Sequence, residues 1–167
     1  MVWLLDGYNV IRRDPELSAL DRGSLEEGRN ALLRLVAHAA GGSADDFIVV
    51  FDGVRATATT APPGGRRVRV IFSRPPDKAD DVLARLARQH GPGATVVTSD
   101  RTVQDAARRG RAAAVSAESF LARLTEPPPD PDEADDEPRP APKRGNPRRL
   151  SRAERQARRA LDRLRPR

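Results

Sequence analysis

Three stretches of this chain, residues 2–5 (VWLL), 47–51 (FIVVF) and 94–98 (ATVVT), are short and almost continuously apolar. Runs of that length suit strands buried on both faces, as in parallel sheets covered by helices on either side. Val68, Val70 and Phe72 alternate with other positions and predict a fourth strand; residues 112–115 give a weaker fifth. Helical punctuation lies between them. Ser24-Leu25-Glu26-Glu27 forms a capping box that opens a helix to about Ala40, closed by Gly41-Gly42. Asp77 can cap a second helix with Ala79, Val82, Leu83 and Leu86 on one face. A third spans about 101–109 and stops at Gly110. A fourth starts at Ser116 with Phe120, Leu121 and Leu124 inward. Strands alternating with helices specify an α/β fold, a parallel sheet flanked by helices with right-handed crossovers, over residues 1–124.

The remainder has a different character. Residues 125–147 hold eight prolines and hardly any apolar side chain larger than alanine. Such a segment cannot bury enough surface to offset the entropy of ordering, which predicts a disordered linker over 125–149. Residues 150–167 then form a basic helix, with Ser151 as its cap and a thin stripe of Ala153, Ala157, Ala160, Leu161 and Leu164. Residues 143–167 carry eleven basic and two acidic side chains, so their excess of positive charge is larger than the net charge of +6 of the whole chain. That helix either docks through its stripe or stays frayed in solvent. Because few apolar contacts could cross the linker, removing residues 126–167 is expected to leave the domain folded.

Composition removes several chemistries. With no cysteine, disulfides, thiolate nucleophiles and Cys-based metal sites are excluded, and two histidines exclude most His-based cages. The opening run MVWLLDGYNV breaks at Asp6 and lacks the basic lead of a signal peptide, and no stretch is long enough to span a bilayer. The expectation is a soluble, cytoplasmic chain.

Each of the three most apolar strands runs into an aspartate: Asp6, Asp52 and Asp100. Parallel strands present their carboxyl ends at one edge, where open α/β sheets form their ligand crevice. Any one of these aspartates can also be a turn or cap residue. A fourth acid comes from the helix after Asp77, with Asp80 at the margin of its buried face and Asp81 on the solvent side. Both can alternatively complement the helix dipole. Carboxylates crowded into one cleft repel unless a cation neutralises them, and an all-oxygen set suits Mg²⁺ or Mn²⁺. Metal-assisted phosphodiester hydrolysis is the chemistry that fits.

Asp6-Gly7-Tyr8-Asn9-Val10 resembles the opening motif of the NYN domain, a branch of the PIN-like nuclease superfamily. Phe51-Asp52-Gly53, Val70-Ile71-Phe72-Ser73, Lys78-Ala79-Asp80-Asp81 and Val97-Thr98-Ser99-Asp100 follow in the order of its YacP-like bacterial members. The resemblance covers about residues 1–124, and the linker and arginine-rich tail match no part of it. It implies a PIN-like Rossmannoid fold and a metal-dependent endoribonuclease linked to messenger RNA decay on the ribosome. It makes Asp6, Asp80 and Asp100 the catalytic, metal-binding acids and Asp52 an additional metal ligand. Asn9 and Ser99 would position ligands or the substrate phosphate, with Asp81 as second choice to Asp80. Many PIN-like enzymes have a glutamate where Asp80 stands, which is one methylene shorter.

Tyr8 can stack on a base or be a packed residue with a wet hydroxyl, and Asn9 can instead shape the turn. Residues 55–67 form a loop after Asp52 whose Arg55, Arg66 and Arg67 would lie beside the cleft, tracking RNA or simply solvated. A non-catalytic RNA- or ribosome-binding module of the same fold is the alternative. A haloacid dehalogenase-type phosphatase needs an acid two residues after Asp6, where Tyr8 stands. No GxGxxG follows the first strand, and Gly64-Gly65-Arg66-Arg67 is not a phosphate-binding P-loop.

Overall fold

The computed structural model describes residues 1–53, 65–125 and 152–164. All five expected strands form: β1 (Val2–Asp6), β2 (Asp46–Phe51), β3 (Val68–Phe72), β4 (Ala94–Val97) and β5 (Ala113–Val115). They pair in parallel in the order β3-β2-β1-β4-β5. Among the described residues seven α-helices surround them: α1 (Gly7–Arg13), α2 (Pro15–Gly23), α3 (Leu25–Gly41), α4 (Ala79–His90), α5 (Arg101–Arg109), α6 (Ala117–Thr125) and α7 (Arg152–Arg163).

Both faces of the central strands are covered, which is why their sequences do not alternate. Trp3 and Leu5 of β1, with Phe47, Val49 and Phe51 of β2, pack against α1, α3, α6 and α7. Leu4, Ile48 and Val50 point the other way, onto α4 and α5. Trp3 stacks on Phe47 at 6.3 Å between ring centroids and meets Phe120 of α6 at 5.7 Å.

Helices α1 and α2 fall where no helix was expected. Gly7, Tyr8 and Asn9 are weak helix formers. The α1 turn is held by its Asp6 cap, which accepts from Asn9 N at 3.2 Å, and by burial of Val10 and Ile11. In α2, Asp14 accepts from Glu16 N and Leu17 N, both at 2.9 Å, and Pro15 occupies the first position. Ser24 caps α3 as expected. Asp77 does not cap α4: it pairs with Arg85 at 2.8 Å, and the amide of Ala79 bonds instead to Asp52 Oδ1 at 2.8 Å.

The C-terminal helix departs from expectation more strongly. Ala160 and Leu164 are each 1% exposed and belong to the main core, with Ala157 and Leu161 packed beside them. Arg123 Nε of α6 donates to the carbonyl of Leu161 at 3.0 Å. Apolar contacts therefore do cross from the tail to the domain, against the expectation that few could. Apart from Thr125, the expected linker lies outside the described residues, as does the Ser151 cap. Among the described residues no helix is long and apolar enough to cross a membrane.

Candidate active site: an acidic cleft at the carboxyl edge of the sheet

Strand order reverses direction at β1, between β2 and β4, and that switch point opens a crevice at the carboxyl ends of the strands. Asp6 closes β1, Asp52 follows β2 and Asp100 follows β4, so the three are delivered to this edge by topology. Asp80, in the first turn of α4, joins them. All four line one cleft of about 470 Å³ together with Tyr8, Asn9 and Ala79.

The acids are held by neutral donors. Asp6, 9% exposed, accepts from Asn9 N at Oδ1 and from the Thr98 hydroxyl at Oδ2, at 3.2 and 3.1 Å. The Thr98 hydroxyl oxygen also accepts from Asp100 N at 3.2 Å. Asp100 caps α5, its Oδ1 accepting from Thr102 N at 2.7 Å and Val103 N at 3.4 Å. Asp52 Oδ1 accepts from the buried Ser73 hydroxyl at 2.7 Å and from Ala79 N. Among the described residues none of the four forms an ion pair. The consequence is electrostatic: burial pushes the Asp6 carboxyl above the usual carboxylate range, against its two hydrogen bonds, and the Asp80 and Asp52 charges add to the rise. Asp80 keeps much of its surface in water, yet shielding by the cleft wall and then Asp100, Asp52 and Asp81 raise it as well.

The remaining sequence candidates are placed differently. Asn9 lines the cleft, but its Oδ1 accepts from Ser99 N at 2.7 Å, tying the β1–α1 turn to the end of β4. Ser99 is not in the cleft wall. Its hydroxyl donates to Glu118 and accepts from Ala117 N, linking β4 to α6, and with Arg13 nearby it holds the Glu118 carboxyl below the usual range. Asp81 is also outside the wall, accepting from Lys78 N at 3.0 Å. Tyr8 is half-buried, its ring edge-on to Phe51 and its hydroxyl accepting from Arg29. Arg66 and Arg67 stand at the opposite edge, just before β3, where Arg67 donates to the carbonyl of Ser43. A chain that leaves β2 and re-enters a parallel β3 must return to the amino edge, so the loop's last residues cannot flank the cleft. Arg55 lies outside the described residues.

Arg12, one of several scattered arginines that spacing alone could not rank, lines the cleft. The structure also adds residues that the sequence did not single out: Asp21 lines the cleft, and its Oδ1 is buried with no hydrogen-bond partner among the described residues. Thr98 and Ser73 orient the acids from behind, and Arg29 lies over the rings of Tyr8, Phe51 and Phe72 at 5.4–5.7 Å. Thr98 and Ser73 sat inside motif stretches; Asp21 had no signal. As placed, no three acidic or histidine side chains among the described residues are close enough to hold a metal ion. Their chemistry nonetheless fits a hard divalent cation: oxygen donors only, mutually repelling, and an orphaned buried carboxylate oxygen in the same wall.

Comparison with known proteins agrees with the fold. The chain is 35% identical over 106 residues to the uncharacterized protein YacP of Bacillus subtilis, a match covering 62% of each chain. The matched segment thus spans less than two thirds of that relative. Two crystal structures of Rae1 (YacP) from Bacillus subtilis, one of them a mutant, superpose with TM-scores of 0.63 and 0.62 at 33% and 31% identity. They cover 74% of this chain and 73–74% of theirs. The profile of the YacP-like NYN domain matches residues 3–165, so it extends through the tail that the resemblance had seemed to omit. A five-stranded parallel sheet with acids at its switch point, matched along nearly its whole length, belongs to the YacP-like NYN domain family.

Proposed function

We propose that the acidic cleft is the active site of an endoribonuclease, dependent on Mg²⁺ or Mn²⁺, that hydrolyses phosphodiester bonds of single-stranded RNA. The observation that carries this reading is the meeting of Asp6, Asp52, Asp80 and Asp100 around one cleft, where among the described residues none of them forms an ion pair. Asp6, Asp80 and Asp100 are the catalytic acids, and together with Asp52 they would hold the cation. When bound, a divalent ion activates water and offsets charge on the attacked phosphate. The protein's own groups supply the positioning. Thr98 fixes the rotamer of Asp6, Ser73 and the Ala79 amide fix Asp52, and the recorded bonds to Asp52 and Asp100 use one oxygen of each. Arg12 at the rim offers a guanidinium to the phosphate, and Tyr8 presents a ring whose hydroxyl is already taken. From the family resemblance, the place of action is messenger RNA on the ribosome, in the cytoplasm.

A second reading, a non-catalytic RNA- or ribosome-binding module, is favoured by the spacing of the acids as they stand. Cleavage of an unstructured RNA, free and on ribosomes, separates the two. The nuclease cuts with Mg²⁺ or Mn²⁺ and loses the activity in Asp6→Asn and Asp100→Asn. If all three proteins bind RNA and are equally inert in both settings, the module is correct.

A further inference from the structure

A second concave feature lies at the opposite edge of the sheet. Between α7 and the corner joining α5 to β5 runs a cleft of about 610 Å³. Pro92, just before β4, and Ala112, just before β5, fix its position at the amino ends of the strands. Its walls carry five arginines: Arg152, Arg155 and Arg159 from α7, Arg108 from α5 and Arg111 from the turn. The α7 set recurs at spacings of three and four residues, so one helix face presents all three. Asp105 pairs with Arg108 at 2.8 Å, and among the described residues no carboxylate lines the cleft. Arg111 adopts a φ of +66°, a left-handed conformation that glycine adopts freely and a side chain resists.

We propose that this arginine-lined cleft is a second RNA-binding site, gripping the phosphate backbone at the edge of the sheet opposite the acidic cleft. That its ligand is RNA rests on the function proposed above. Guanidinium forks match phosphate oxygens in pairs, and cations converging on one cleft attract a polyanion. From Arg152 to Arg159 the helix rises roughly 10 Å, longer than a single phosphate step, which suits a polymer rather than a single phosphate. Four- and five-residue strands separate the two clefts by about 15 Å, so the surface path between anchored and cut positions spans several nucleotides. The anchor offsets the repulsion between the acidic cleft and the strand it receives.

The test uses the full chain with Asp6→Asn to keep RNA uncut, and a labelled, unstructured RNA of about twenty nucleotides followed by anisotropy across salt concentrations. Arg152→Ala/Arg159→Ala is expected to weaken binding at least about fivefold and to reduce the log–log salt slope by about 1.4, the loss of two single-strand phosphate contacts. Arg111→Gly, outside α7, is expected to weaken binding while the thermal midpoint holds or rises. Unchanged affinity and slope, with helicity by circular dichroism intact, overturn the proposal. So does loss of polyglutamate binding with RNA binding unchanged, which would assign the cleft to an acidic protein surface. On the native-Asp6 background, the arginine variants should raise KM for the long RNA and leave cleavage of a four-nucleotide RNA unchanged. A chain that binds through the arginines yet never cuts sinks the nuclease and keeps the anchor. One that cuts long RNA with KM unaltered in the variants does the reverse.

Discussion

Asp6 sits where a charged carboxylate is disfavoured, and this has a consequence for stability. Its folded-state pKa is raised by burial and by neighbouring acids, so its contribution to folding is favourable in acid and is lost as pH rises through that value. Asp6→Asn, which keeps the α1 cap, should therefore raise the thermal midpoint at pH 7 in EDTA while abolishing cleavage. The stability gain should fade below about pH 4, where unfolded carboxylates protonate. Melting curves at both pH values check this, and a midpoint lowered at pH 7 would contradict it. Thr98→Val removes the hydroxyl shared by Asp6 and Asp100 at a fully buried position, and should cost about 1–3 kcal/mol in denaturant titration. The strand-end acids were legible in sequence because parallel geometry alone brings strand ends together. Thr98 and Ser73 were not singled out, since a hydroxyl's use depends on which backbone segments meet around it. Arg66 and Arg67 were misplaced because a loop's composition does not reveal at which edge it finishes.

Among the elements, α1 shows most clearly what pattern reading omits. Its seven residues lack a helical apolar period long enough to detect, and they form a helix because Asp6 caps the turn and the aromatic floor receives it. Gly7 is required there by proximity: a Cβ would lie 2.3 Å from Phe51 Cε1. Gly7→Ala should cost about 1–3 kcal/mol from overpacking, with Phe51→Leu recovering part of the loss in a double-mutant cycle. Additive costs in that cycle would show the two positions to be uncoupled. The strands were legible because continuous apolar runs report burial on both faces. Helix α4 was legible by its apolar face, but its first amide is bonded from another strand's end, a partner no local window contains.

For the whole molecule, the C-terminal helix completes a layer rather than trailing behind it. Its small apolar stripe gave no decision between docking and fraying, because alanines bury little area and the outcome depends on the shape of the receiving surface. Leu164→Ala should lower stability by about 2 kcal/mol, and removal of residues 126–167 should lower the thermal midpoint further. Adding Mn²⁺ to the intact protein should raise the midpoint by mass action, an effect missing in Asp6→Asn/Asp100→Asn. The sole tryptophan offers a way to watch these events. Trp3 is wholly enclosed, between Phe47 and the Phe120 of α6, in the same cluster that receives α7. Its intrinsic emission thus originates from a single site, and a red shift on detachment of the tail would report the opening of that layer without any attached dye.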